Sequence, residues 1–176
     1  MSSFFEEATA WLDKAAENAG DLFAVYRPYV RGDRQFPLAQ FMRVRDRHPI
    51  LSISTSKGRW GVSGERCYFD ICETLTEEAL EIYVRFLLEI QRTEVEYNDP
   101  EHDYTFLSLV VLTSHLTDTA IIKKIKRFRS EKTYSAHEKQ FGWSSCRLCV
   151  IDLAIDKQYL NAMAGPLRTR LFSKSL

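Results

Sequence analysis

Glycine and proline are scarce in this chain, 7 and 5 of 176 residues, so long flexible linkers are not expected. No run approaches the ~20 consecutive apolar residues that span a bilayer, so no membrane segment is expected. The opening "MSSFFEEATAWLDK" lacks a basic stretch followed by an apolar one, which reads as the absence of a secretory signal. With only four cysteines and no export signal, the expectation is reduced thiols and a cytoplasmic location. Formal net charge is zero, which excludes global steering toward a polyanion and leaves nucleic-acid contact to local patches.

Chemical signatures are missing as well. The loop "SKGRWGVSG" (56–64) has neither the G-x-x-x-x-G-K-[ST] phosphate cradle nor the strand–G-x-G-x-x-G–helix order of dinucleotide sites. "GVSGE" is not a G-x-S-x-G nucleophile elbow, and no cysteine stands at a helix start. The four histidines show no regular ligand spacing.

What is present is globular: 45% hydrophobic and 27% charged residues, enough to build a core in one domain spanning 1–176. Ser3 with Glu6 fits a capping box, and Phe5, Ala8, Leu12 and Ala15 follow at helical spacing, with Gly20 as a stop. "LFAVY" (22–26) reads as a strand. Residues 27–49 read as irregular, broken by Pro28, Gly32, Pro37 and Pro49, with a helical turn or two in "LAQFMRV". "ILSIS" (50–54) and "RCYFDIC" (66–72) alternate as strands, with Trp60 in the Gly-rich loop between them as a core plug or a contact residue.

Thr74 and Glu77 suggest a second capping box, before a helix with a wide apolar face. "YTFLSLVVL" (104–112) and "CRLCVIDLA" (146–154) are apolar on both faces, as central strands are. Between them a helix capped by Thr117 runs through 121–132, with Ile121, Ile122, Ile125 and Phe128 inward. The fold expected is α/β or α+β: a mixed β-sheet of about five strands flanked by helices, in a single domain.

The C-x₂-C of "WSSCRLCVIDL" raises disulfide, zinc and redox readings. On a strand, Cys146 and Cys149 point to opposite faces with Cα atoms roughly 10 Å apart, too far to bridge. Cys67 and Cys72, five apart, fail in the same way. The expectation is four small buried hydrophobes, with chelation of zinc by Cys146, Cys149 and His115 or His137 as the alternative.

Charge is blocked along the chain. "IIKKIKRFRSEK" (121–132) carries Lys123, Lys124, Lys126, Arg127, Arg129 and Lys132 against Glu131. Arg27, Arg31, Arg34, Arg43, Arg45 and Arg47 form a second group, interleaved with Tyr26, Tyr29, Phe36 and Phe41, as single-stranded nucleic-acid grooves are. Against these, 73–103 has ten Asp or Glu and two Arg. The bland account is that acidic and basic segments pair with each other; the functional one is that cations on a rigid surface displace counterions from a phosphate backbone.

Asp70, Glu73 and Asp152 stand in or near apolar strands, where an aspartate requires a reason. Carboxylates gathered at strand ends build Mg²⁺-dependent phosphoryl-transfer sites, and Lys57 or Arg59 in the Gly-rich loop could meet a phosphate. The element order resembles a restriction-endonuclease-like core at the level of fold, but Asp70 is followed by Ile71-Cys72 and no Glu-x-Lys falls on a predicted strand.

The leading expectation is a small binding domain that contacts nucleic acid or another phosphate-bearing partner. The contacting residues would be Arg43, Arg45, Arg47, Lys57, Arg59, Lys123, Lys124, Lys126, Arg127 and Arg129, with no cofactor. The alternative is a Mg²⁺-dependent nuclease-like hydrolase using Asp70, Glu73 and Asp152. A third is a self-associating subunit, a homodimer in which acidic helix 76–92 pairs with basic helix 121–132 of a second chain.

Overall fold

The structure, a computed structural model, describes residues 3–48 and 59–172. Helix α1 (Phe4–Glu17) opens with the expected capping box, Ser3 and Glu6 each accepting from the other's backbone N–H, and buries Ala8, Leu12 and Ala15. Strands β1 (Ala24–Tyr26), β2 (Tyr29–Arg31), β3 (Arg34–Phe36) and β4 (Leu38–His48) follow. Residues 27–49 are therefore more regular than their punctuation suggests. β2 and β3 form a tight antiparallel hairpin closed by the Arg31–Arg34 pair, and Gly32, at φ +61, takes the left-handed turn position that a side chain disfavours.

"LAQFMRV" is strand and not helical turn. Leu38, Phe41 and Met42 mimic a helical i, i+3, i+4 stripe, but β4 pairs antiparallel with β5 (Arg59–Ile71) along its whole length, from Leu38–Phe69 to His48–Arg59. Long-range pairing overrides the local period. Trp60 lies within β5, 42% exposed, with the Arg45 guanidinium 4.3 Å over its ring. The predicted strand 50–54 lies outside the described residues.

Helix α2 (Glu77–Thr93) returns the chain to β6 (His102–Thr113), and α3 (Thr119–Arg127) carries it through the short β7 (Glu131–Thr133) to β8 (Trp143–Asp152). The caps fall slightly later than expected. Thr76, not Thr74, accepts from Ala79 N at 3.2 Å, and Asp118, not Thr117, accepts from Ala120 N at 2.7 Å. Strand β9 (Lys157–Leu160) folds back on β8, and α4 (Gly165–Phe172) follows, with Pro166 in the first turn where no N–H is needed.

These strands form one mixed seven-stranded sheet in the order β1-β4-β5-β6-β8-β7, with β9 paired to β8, in a single domain. β5, β6 and β8 run parallel, and the crossovers through α2 and α3 bring both helices to the same face. The β2–β3 hairpin joins them there, burying Phe36 against Tyr68 and Phe86. The opposite face is covered by α1 and α4, over Leu38, Cys67, Phe69, Val110, Leu112, Cys149 and Ile151. Two covered faces explain the continuous apolar runs of β6 and β8. The face that carries Arg66, Tyr68 and Asp70 lies under α2, and Tyr68 is fully buried.

The predicted basic helix 121–132 is shorter than expected. Phe128 turns to an extended conformation (ψ 129), and Glu131–Thr133 joins the sheet as an exposed, charged edge strand.

Candidate functional site

The arginine segment is already engaged. Arg27 donates to Asp13, Arg31 to Glu89 (3.0 Å) and Glu94 (2.5 Å), and Arg34 to Asp70 (3.0 Å). Arg43 pairs with Glu96 (3.2 Å) and Asp99 (3.8 Å). Arg45 makes a two-pronged contact with Glu101, both N–H···O distances 2.7 Å, which raises the guanidinium's pKa further above its ordinary value. Arg47 stands opposite Trp60 in the β4–β5 register. The acidic stretch 73–103 is thus largely the internal counterion of the arginine stretch. Lys57 lies outside the described residues, and Arg59 is placed only as the first residue of β5.

Helix α3 is different. Ile121 and Ile125 face the core, and Lys124 reaches sideways to Glu77 and Glu81 of α2. Within one chain, Lys124 thus makes the kind of α2–α3 contact that the self-association reading places between two chains. Lys123, Lys126 and Arg127, spaced i, i+3, i+4, occupy the outward face. They are exposed and, among the described residues, have no ion-pair or hydrogen-bond partner; the same holds for Arg129 beyond the helix end and Lys132 on β7. The two basic segments do not form one surface, because β5 and β6 separate β4 from β8, near which α3 packs.

The three carboxylates are not brought together. Asp152 is fully buried and accepts backbone N–H groups from His115 (3.0 Å), Leu116 (2.7 Å) and Ala154 (3.0 Å). It ties the turn after β6 to the end of β8. Asp70 accepts from Arg34 and from the Tyr83 hydroxyl, both at 3.0 Å. Its strand partner is Val111, whereas Asp152 pairs with Thr113, so β6 stands between them. Strand spacing and rise put their Cα atoms about 12 Å apart. Glu73 is exposed and contributes its carbonyl, not its carboxylate, to Thr113 and Ser114. Among the described residues, no group of three or more His, Cys, Asp or Glu could hold a metal ion.

All four cysteines are free thiols. Cys146 faces the α2–α3 core and Cys149 the α1–α4 core, the opposite orientations that strand geometry requires. Cys72, only partly buried, departs from the expected four buried cysteines; burial pushes the thiols of Cys67 and Cys146 up to about 12 and raises those of Cys149 and Cys72 too, so none is a ready nucleophile. His102, almost fully buried, bridges the Phe141 carbonyl (2.5 Å) and the Thr105 hydroxyl (2.9 Å). Gly142 packs so close to it that a Cβ would meet the His102 ring at 2.7 Å.

Two arrangements escaped the sequence reading. On the α1–α4 face, Arg147 and Arg170 converge on the single buried Glu65 at 3.6 and 3.0 Å, with Ser108 donating to the same carboxylate and Gln40 accepting from Arg170. Arg147 also lies 3.3 Å over the Phe106 ring. The available signal was a charged residue inside each of two strands, in "SGERC" and "CRLC". On the α2 face, a cleft of about 740 Å³ opens between Tyr26, Tyr29 and Phe41 on one side and the segment after α2, with Glu94 and Glu96, on the other. Glu94 accepts from Arg31 and from the buried Tyr68 hydroxyl (2.7 Å), whose pKa burial drives far above the tyrosine range.

Among the described residues, no helix is long and apolar enough to cross a membrane. Comparison with curated proteins and with solved structures finds no match to this chain. Residues 7–171 match the family described as Domain of unknown function (DUF8052), and the chain belongs to that family.

Proposed function

We propose that this protein is a binding domain that engages the phosphate backbone of a nucleic acid through the outward face of α3 and the segment after it. The observation that carries the reading is the contrast in how cations are used. Arg27, Arg31, Arg34, Arg43 and Arg45 are each committed to a carboxylate, whereas Lys123, Lys126, Arg127, Arg129 and Lys132 are exposed without one among the described residues. Cations kept unpaired on a rigid element release condensed counterions at little conformational cost. Arg43 and Arg45 tie residues 96–101 to β4 through Glu96, Asp99 and Glu101 and are left out of the proposed surface.

A titration with a single-stranded homopolymer at two salt concentrations tests this. Affinity is expected to fall steeply with salt, and replacing Lys123, Lys126 and Arg127 by alanine lowers the log–log slope by roughly 2, since each single-strand phosphate contact contributes about 0.7. Absence of binding at low salt, or a slope that the triple variant leaves unchanged, refutes it.

A further inference from the structure

The cleft over β4 and β5 is far across the sheet from α3, so what it binds is independent of the function proposed above. Its floor is bare at Gly64, where even a Cβ would come within 3.3 Å of the Met42 carbonyl. One wall is aromatic: Tyr26, Tyr29 and Phe41 pack with ring centroids 4.9 to 5.6 Å apart, and Tyr26 remains 43% exposed. Such a wall offers ring faces to a planar group.

The charges around it are of both signs, and they are incompletely used. Arg66 lies 5.0 Å over the Phe41 ring, and its only ion pair among the described residues is a long 3.5 Å approach of Nε to Glu94. Glu94 is already occupied by Arg31 at 2.5 Å and by the Tyr68 hydroxyl, so Arg66 gains little from it. Its two terminal nitrogens have no partner among the described residues, although the side chain is only 34% exposed. That leaves a stacked guanidinium presenting an open fork, the geometry that holds a carboxylate. Across the cleft, Glu96 uses only Oε2 toward Arg43, at 3.2 to 3.3 Å, and its Oε1 is free among the described residues.

An open guanidinium fork, an open carboxylate oxygen and an aromatic wall lining one cleft call for a ligand with all three complements. We infer that the cleft is a binding site for a zwitterion bearing a planar ring, of the class of aromatic amino acids. The ligand's carboxylate takes the Arg66 fork, its ammonium takes Glu96, and its ring lies against Tyr26, Tyr29 and Phe41. A dianion such as a phosphate monoester fits less well, because Glu94 and Glu96 share the cleft with Arg66. The volume of about 740 Å³ lies within the range of small-molecule sites and leaves room for a ligand longer than one amino acid.

Calorimetric titration of the full chain tests this with L-tryptophan and L-phenylalanine, with 3-phenylpropanoate, which lacks the amine, and with phenethylamine, which lacks the carboxylate. An aromatic amino acid is expected to bind at least tenfold more tightly than either truncated analogue. Arg66→Met is expected to erase the advantage over phenethylamine, and Glu96→Gln the advantage over phenylpropanoate. Thermal melting of each variant shows that it is folded, and Tyr26→Ala, at an exposed position, supplies a third variant expected to weaken binding about tenfold. No binding by the wild-type chain up to about 10 mM amino acid overturns the inference. So does binding that is indifferent to the amine, or that survives unchanged in folded Arg66→Met.

Discussion

Asp152 shows how a residue that looks catalytic can be structural. An aspartate in an apolar strand needs compensation for its burial. Here it comes from three backbone N–H groups, at His115, Leu116 and Ala154. Replacing it removes the acceptor for all three at once. Asp152→Ala is expected to cost about 3 kcal/mol in urea unfolding, since each buried donor left unsatisfied costs roughly 1–3 kcal/mol and the site can admit some water. Asp152→Asn, which keeps one accepting oxygen, should cost less. A loss below about 1 kcal/mol for the alanine variant would show that the turn after β6 is held by other means. From sequence alone, an aspartate inside the apolar run of β8 already demands a partner for its burial. The explanation needed the positions of 113–116, which no local pattern around 152 contains.

At the scale of elements, the ion cluster on the α1–α4 face decides how α4 is held. Arg170 reaches from the last turns of α4 to Gln40 on β4 and Glu65 on β5, while Arg147 approaches the same carboxylate from β8. With Ser108 of β6 also donating to it, Glu65 of β5 joins β6, β8 and α4 at one buried carboxylate, and Arg170 extends the link to β4. Two guanidiniums on one carboxylate make removal of the carboxylate costly, because it strands buried positive charge; loss of one partner of such a group typically costs 3–5 kcal/mol. Burial already lowers the pKa of Arg147 against its ordinary value, with Glu65 opposing that shift. Glu65→Gln is expected to fall in or just below that range, and adding Arg147→Met should return part of the loss. If the double variant is less stable than Glu65→Gln alone, the strain lies elsewhere than in the unmatched cation. Periodicity made α1, α2, β6 and β8 legible, because each is amphipathic or apolar in a way that its own residues state. It failed for β2, β3 and β4, whose pairing partners and not their composition make them strands. The truncation of α3 was illegible for the same reason: Glu131–Thr133 is β because the edge of β8 accepts it.

For the whole molecule, the sheet divides the charges between two ends. The arginines of β2 to β4 and the acidic residues of α2 and its following loop neutralise one another on the β4 side, while Lys123, Lys126, Arg127, Arg129 and Lys132, without a carboxylate partner among the described residues, lie beyond β8. This is why a net charge of zero could not say whether a basic surface exists. Composition sums over pairs that only the fold can match. The same layout sets the order of stability. β6 lies between two parallel neighbours, covered on both faces, and from Leu107 to Thr113 every residue is buried. β1 and β7 are three-residue edge strands with every residue exposed. Amide exchange tracks local opening, which is easiest where few apolar contacts are lost. Amides of 107–113 and 146–151 are therefore expected to exchange only through global unfolding, with those of 24–26 and 131–133 orders of magnitude faster. Because Lys132 sits on that labile edge and Lys123, Lys126 and Arg127 on a helix anchored by Ile121 and Ile125, a bound polyanion should slow exchange at 131–133 far more than within α3. Equal protection of β7 and β6 in the free protein would contradict the sheet order on which this rests.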